Sequence, residues 1–95
     1  MREVKVTEVP QGAQLIDVRE ADEFATGHAA GAVNIPMSEI SSRVRELDGS
    51  EDIYVICQLG GRSAKVAEFL EEQEFPVINV EGGTSAWIKA GLPTE

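Results

Sequence analysis

The sequence predicts an α/β domain in which a small parallel sheet is covered by helices on both faces, a three-layer arrangement. Three observations carry that expectation. The uncharged runs IYVIC at 53–57 and PVINV at 76–80 have the length and β-branched content of strands buried on both faces. Between them stands SAKVAEFLEEQ at 63–73, whose apolar residues recur with the helical period. The same alternation runs through the rest of the chain, and strands alternating with helices favour a parallel sheet with right-handed crossovers.

Each element has its own signal. EVKVTEV at 3–9 alternates polar and apolar residues and reads as a half-buried or edge strand. PQG at 10–12 turns the chain into QLIDV at 14–18, a buried strand. EADEFATG at 20–27 is a short acidic helix, with Asp22 and Glu23 at its positive N-terminal end and Gly27 at its exit. AVNI at 32–35 is a strand closed by Pro36. SEISSRVREL at 38–47 places Ile40, Val44 and Leu47 on one helical face, and DGSED at 48–52 is a loop. IYVIC has no charge to leave in water, which makes it the central strand. In the helix at 63–73, Ala64, Ala67 and Leu70 mark the buried face, widened by Val66 and Phe69, while Lys65, Glu68, Glu71 and Glu72 face solvent. PVINV is the last strand, and EGGTSAWIKAG at 81–91 a short helix ending at Gly91.

Residues 1–95 have the length of a single domain. Hydrophobic and charged fractions of 42% and 26% are those of an ordinary globular protein. The net charge of -9 argues against nucleic acid and anionic membrane surfaces, because both reward Lys and Arg. No apolar stretch has the length of a membrane span, and MREVKVTEVPQG lacks the apolar core of a signal peptide, so a cytoplasmic location is expected. One Cys and one His allow neither an internal disulfide nor a zinc site, and no cofactor is expected. A free thiol fits a reducing compartment.

The lone thiol is the chemically informative residue. Cys57 ends the central strand, where open α/β sheets place their sites. The loop Gln58, Leu59, Gly60, Gly61, Arg62, Ser63 then enters the main helix. The first amides of a helix have no partner within it and carry about half a positive charge. Gly60 and Gly61 allow positive φ, so several amides can turn inward as an anion-binding nest. Arg62 adds a permanent positive charge. A thiol above such a cradle is expected to have a lowered pKa and to exist largely as thiolate. A cysteine after YVI is otherwise a small core hydrophobe, and glycines after a strand otherwise a tight turn. The convergence of nest and charge on one sulfur favours a nucleophile.

At this point the sequence resembles the rhodanese family, specifically its single-domain rhodanese-like sulfurtransferases. LIDVREADEFATGHAAGAVNIP is similar to the family's first signature, VICQLGGRSAKVA to its active-site loop and helix, and VEGGTSAW to its C-terminal signature. The three occur in order over nearly the whole chain. The resemblance implies a rhodanese-like three-layer fold. It implies that Cys57 takes a sulfane sulfur from a donor, becomes a persulfide and passes the sulfur to a thiophilic acceptor. It also implies that the amides of Gln58 to Ser63 cradle that persulfide. The partners it implies are a small donor (thiosulfate, polysulfide or persulfide) and a thiol or cyanide acceptor, with a protein donor or acceptor as a further class.

Two other readings are weighed against it. A non-catalytic rhodanese-like binding or sulfur-carrier module usually lacks the cysteine, which is present here in an intact loop. Cysteine phosphatases, with arsenate reductases beside them, use Cys, five residues, then Arg; here four residues separate Cys57 from Arg62. The smaller ring of amides suits a persulfide sulfur better than a phosphate. Where many family members carry a basic residue directly after the cysteine, this chain has Gln58, then apolar Leu59 at the mouth of the site. Thiosulfate is therefore expected to be a poor donor, improved by Gln58→Arg. Asp17 and Arg19 are read as an ion pair tying a strand end to a neighbouring loop. His28 is read as structural, Trp87 as packing, and the acidic residues Glu68, Glu71, Glu72 and Glu74 as a solvated face.

Overall fold

Ile53–Ile56 organises the molecule, because all four of its residues are buried and must be covered from both sides. A computed structural model describes residues 1–95. The strands are β1 (Arg2–Lys5), β2 (Gln14–Asp17), β3 (Val33–Asn34), β4 (Ile53–Ile56) and β5 (Val77–Glu81). They form one sheet in the order β1-β5-β4-β2-β3, with every pair parallel. The helices are α1 (Ala21–Ala25), α2 (Gly61–Glu72) and α3 (Gly83–Lys89). β4 is central, as its lack of charge predicts, and β1 is an edge strand paired only with β5.

The pleat divides the core. Ile53, Val55 and Cys57 join Val66, Ala67 and Leu70 of α2 in one apolar cluster. Tyr54 and Ile56 point the other way, into a cluster with Val80, Val6 and Trp87 of α3. The expected layers, helix on sheet on helix, are therefore present. The buried face of α2 is Ser63, Val66, Ala67 and Leu70, while Ala64 and Phe69 are only partly covered. A hydroxyl thus occupies the place on that face closest to the end of β4, which matters below.

Two elements differ from their sequence expectation. The first strand stops at Lys5, and Val6–Glu8 forms a 3₁₀ turn. The Lys5 amide donates to the Glu8 carboxylate at 2.7 Å, and the turn drives Val6 into the core. The segment 38–47 is two 3₁₀ turns, Ile40–Ser42 and Val44–Glu46, not one α-helix. The Ser42 hydroxyl donates to the Glu39 carbonyl at 2.9 Å, the local competition that keeps serine out of helix interiors. Arg43, at φ -120°, breaks the ladder and pairs with both Glu39 and Glu46. Ile40 and Leu47 are nevertheless buried, so the periodicity identified the face correctly although the turns are tighter.

Candidate active site

The site begins one residue beyond β4. There the backbone carbonyls of Cys57 and Gln58 turn toward α3 and are captured at its N-terminus. The Thr84 amide and hydroxyl donate to the Cys57 carbonyl at 2.8 and 2.9 Å, and the Ser85 amide to the Gln58 carbonyl at 3.1 Å. These donors are among the first amides of α3, which have no partner within the helix. Gly83 makes the approach possible: a Cβ there would lie 2.5 Å from the Cys57 carbonyl oxygen, and its φ of +60° is left-handed. With these carbonyls held on the α3 side, the following amides face the sulfur.

Gly60, at φ +110° in the N-cap position of α2, donates its amide to Cys57 Sγ at 3.1 Å. The Ser63 hydroxyl donates to the same sulfur at 3.3 Å and also lies 3.2 Å from the Gly60 carbonyl. Cys57 is almost fully buried, and that burial pushes its thiol pKa up. The Ser63 hydroxyl and the amides of Ser63, Gly60 and Leu59 act in the opposite direction, and together they hold it below its ordinary value. The named donors include a side chain, Ser63, whose contribution sequence reasoning credited only to its amide.

The loop's side chains are placed differently from the expectation. The Arg62 guanidinium is held by Glu23 of α1, with Nη1 and Nη2 donating to its two carboxylate oxygens at 2.7 and 3.0 Å. This pairing lowers the Glu23 pKa to about 2 and raises that of Arg62. Arg62 is thus a matched charge and not the free cation inferred from the sequence. Gln58 is tied down: its Oε1 accepts from Arg19 Nη1 at 3.0 Å and its Nε2 donates to the Ser85 hydroxyl at 2.7 Å. An arginine at position 58 has no acceptor to offer Arg19, so Gln58→Arg also breaks the bond that holds Arg19 in place. Leu59 projects into solvent, 73% exposed, which fits a position at the rim.

Asp17 and Arg19 form the expected ion pair, fully buried, with Arg19 Nη2 2.9 Å from Asp17 Oδ2. Arg19 also donates to the Gly27 carbonyl at 2.9 Å, which ties the end of β2 to the exit of α1. His28 stacks on Phe24 with ring centroids 3.6 Å apart, a packing role away from the sulfur. The Trp87 indole is buried and donates to the Pro93 carbonyl at 2.7 Å. A concavity of about 640 Å³, lined in part by Val6, Leu15, Trp87 and Leu92, lies on the α3 face and does not include the thiol.

A parallel α/β sheet that ends its central strand in a thiol, with helix-start amides and a hydroxyl aimed at the sulfur, defines a small cysteine-centred α/β domain. The chain belongs to the rhodanese-like domain family, whose family model matches residues 5–90. It is 42% identical over 80 residues to the putative sulfurtransferase YtwF of Bacillus subtilis, covering 84% of this chain and 78% of that protein. It is 38% identical over 78 residues to the putative sulfur carrier protein YrkF of the same organism, a match that covers 81% of this chain but only 42% of that longer protein. Among solved structures, a rhodanese-related protein of Thermoplasma volcanium superposes with a TM-score of 0.94 at 33% identity, over 100% of this chain and 98% of that one. No helix is long and apolar enough to cross a membrane.

Proposed function

We propose that this domain is a rhodanese-type sulfurtransferase that carries a sulfane sulfur on Cys57. The observation that supports it is the set of donors on Sγ: the Gly60 amide at 3.1 Å and the Ser63 hydroxyl at 3.3 Å. They favour the thiolate as nucleophile and, once sulfur is bound, an anion one atom further out. The thiolate attacks the sulfane sulfur of a donor X–S⁻, the X–S bond breaks, and X leaves with the electron pair. Cys57–S–S⁻ then passes its outer sulfur to an acceptor nucleophile, cyanide or a thiolate, and the Cys57 thiolate returns. Thiosulfate, polysulfides and persulfides, free or presented by a protein, are the donor classes. The relative named as a putative sulfurtransferase fits this chemistry. A buried free thiol fits a reducing, cytoplasmic setting.

The phosphatase alternative is disfavoured by one observation: Arg62, the cation it would need, is bonded through both Nη atoms to Glu23. The carrier or binding-module alternative differs only in whether the sulfur is turned over. Intact mass after incubation with polysulfide tests the common step. The wild type should gain one sulfur, removable by dithiothreitol and by cyanide with release of thiocyanate, and Cys57→Ser should gain none. A wild type that accepts sulfur from no donor overturns the proposal. A persulfide that forms and is removed by dithiothreitol, with no catalytic turnover of donor to thiocyanate, selects the carrier reading.

A further inference from the structure

We propose that Glu23 determines donor specificity at the Cys57 site by neutralising Arg62, so that the site disfavours small dianionic donors and favours sulfur presented as the persulfide of a thiol. The inference rests on the sulfurtransferase reading above. It starts from a charge inventory around the loop. Arg62 is matched by Glu23, through bonds of 2.7 and 3.0 Å. Arg19, the other guanidinium within reach of the loop, is buried and matched by Asp17 at 2.9 Å. Gln58 and Leu59 bring no charge, and Lys65 points to solvent from the next turn of α2. The two pairs sum to zero, so the thiolate leaves the mouth with a net negative charge.

Thiosulfate enters as a dianion. Its transfer step, Cys57–S⁻ + S–SO₃²⁻ → Cys57–S–S⁻ + SO₃²⁻, forms one S–S bond and breaks one, and the electron pair leaves on sulfite. No unmatched cation meets the departing sulfite. The chain's net charge of -9 adds a longer-range repulsion. A persulfide R–S–S⁻ carries one charge less and leaves as R–S⁻, and its R group can lie against Leu59, which is 73% exposed. Glu23 can act as the discriminating element because its pair with Arg62 is accessible, with each side chain 36% exposed. Removing the carboxylate frees a guanidinium that remains beside the site.

The test compares the wild type and Glu23→Gln, which keeps size and one hydrogen-bond acceptor. The donors are thiosulfate and the persulfide of 2-mercaptoethanol, with cyanide as acceptor. Releasing one unit charge at a partly exposed anion site should raise the ratio of the two kcat/KM values, thiosulfate over persulfide, by roughly five- to tenfold. The change should lie in the thiosulfate KM and not in kcat, and should vanish in the Glu23→Gln/Arg62→Gln double variant. A non-reacting dianion gives an independent reading: sulfate should protect Cys57 from iodoacetamide at a several-fold lower concentration in Glu23→Gln. Should that variant fold poorly, Arg62→Gln gives the converse reading, since it leaves Glu23 unmatched and should raise the thiosulfate KM several-fold while the persulfide KM moves less. An unchanged donor ratio, in Glu23→Gln or in Arg62→Gln, overturns the inference while the sulfurtransferase reading stands. A wild type that uses neither donor overturns that reading, and the sulfate arm still reports whether Glu23 masks Arg62.

Discussion

Replacing Ser63 with alanine separates hydrogen bonding from charge as the cause of the acidic thiol. The Ser63 hydroxyl is 3.3 Å from Cys57 Sγ and 3.2 Å from the Gly60 carbonyl, and it has one proton for both. A hydrogen bond to a charged group contributes about 1.5–3 kcal/mol. Sharing with Gly60 puts the expected loss at the lower end, roughly tenfold in the thiolate–thiol equilibrium. A thiolate of higher pKa is also intrinsically more nucleophilic, with a Brønsted slope of about 0.4–0.5, so the alkylation rate at a fixed pH below the pKa should drop only about three- to fourfold. Ultraviolet thiolate absorbance against pH measures the equilibrium directly, and iodoacetamide kinetics measure the rate. The titration curve should move to higher pH, with reactivity lost at lower pH and recovered above it. The double variant Arg62→Gln/Glu23→Gln should move the curve less, because the pair it removes carries no net charge. If Ser63→Ala titrates like the wild type, the proton is committed to the Gly60 carbonyl and the assignment is wrong. If that double variant moves the curve more than Ser63→Ala, the ion pair and not local donation sets the thiol.

The remaining expectations concern the scaffold of the loop. Gly83→Ala should destabilise by about 3 kcal/mol or more in denaturant titration, because it combines a left-handed φ with a Cβ 2.5 Å from the Cys57 carbonyl oxygen. Gly91→Ala, at φ +73° with nothing within 4 Å, should cost only about 1 kcal/mol, and equal losses at the two sites would mean that the close approach of α3 is unimportant. Gln58→Arg should lose roughly 1–2 kcal/mol of stability by removing the acceptor that Arg19 uses, while its added charge at the mouth should lower the thiosulfate KM several-fold. An unchanged KM would show that a guanidinium at position 58 does not face the donor.

The sequence determined the alternation of elements, the central position of Ile53–Ile56, the place of Cys57 at its end, and the loop that aims amides at the sulfur. These are local properties. Pleat alternation, helical period and the preference of glycine for positive φ act over a few residues and leave their pattern in the chain. The same logic located the buried face of 38–47 but not its 3₁₀ geometry, because the serine hydroxyl that competes for the backbone bonds leaves the apolar spacing unchanged. The tertiary structure decided which charges remain free. Arg62 and Glu23 are 39 residues apart, as are Arg19 and Gln58, and Thr84 reaches the Cys57 carbonyl across 27. No local pattern encodes such pairs; they arise where the parallel crossovers bring α1, α2 and α3 together at the ends of β2, β4 and β5. An arginine beside a nucleophile therefore reads in sequence as a cation for the substrate. Only the fold places a carboxylate against it.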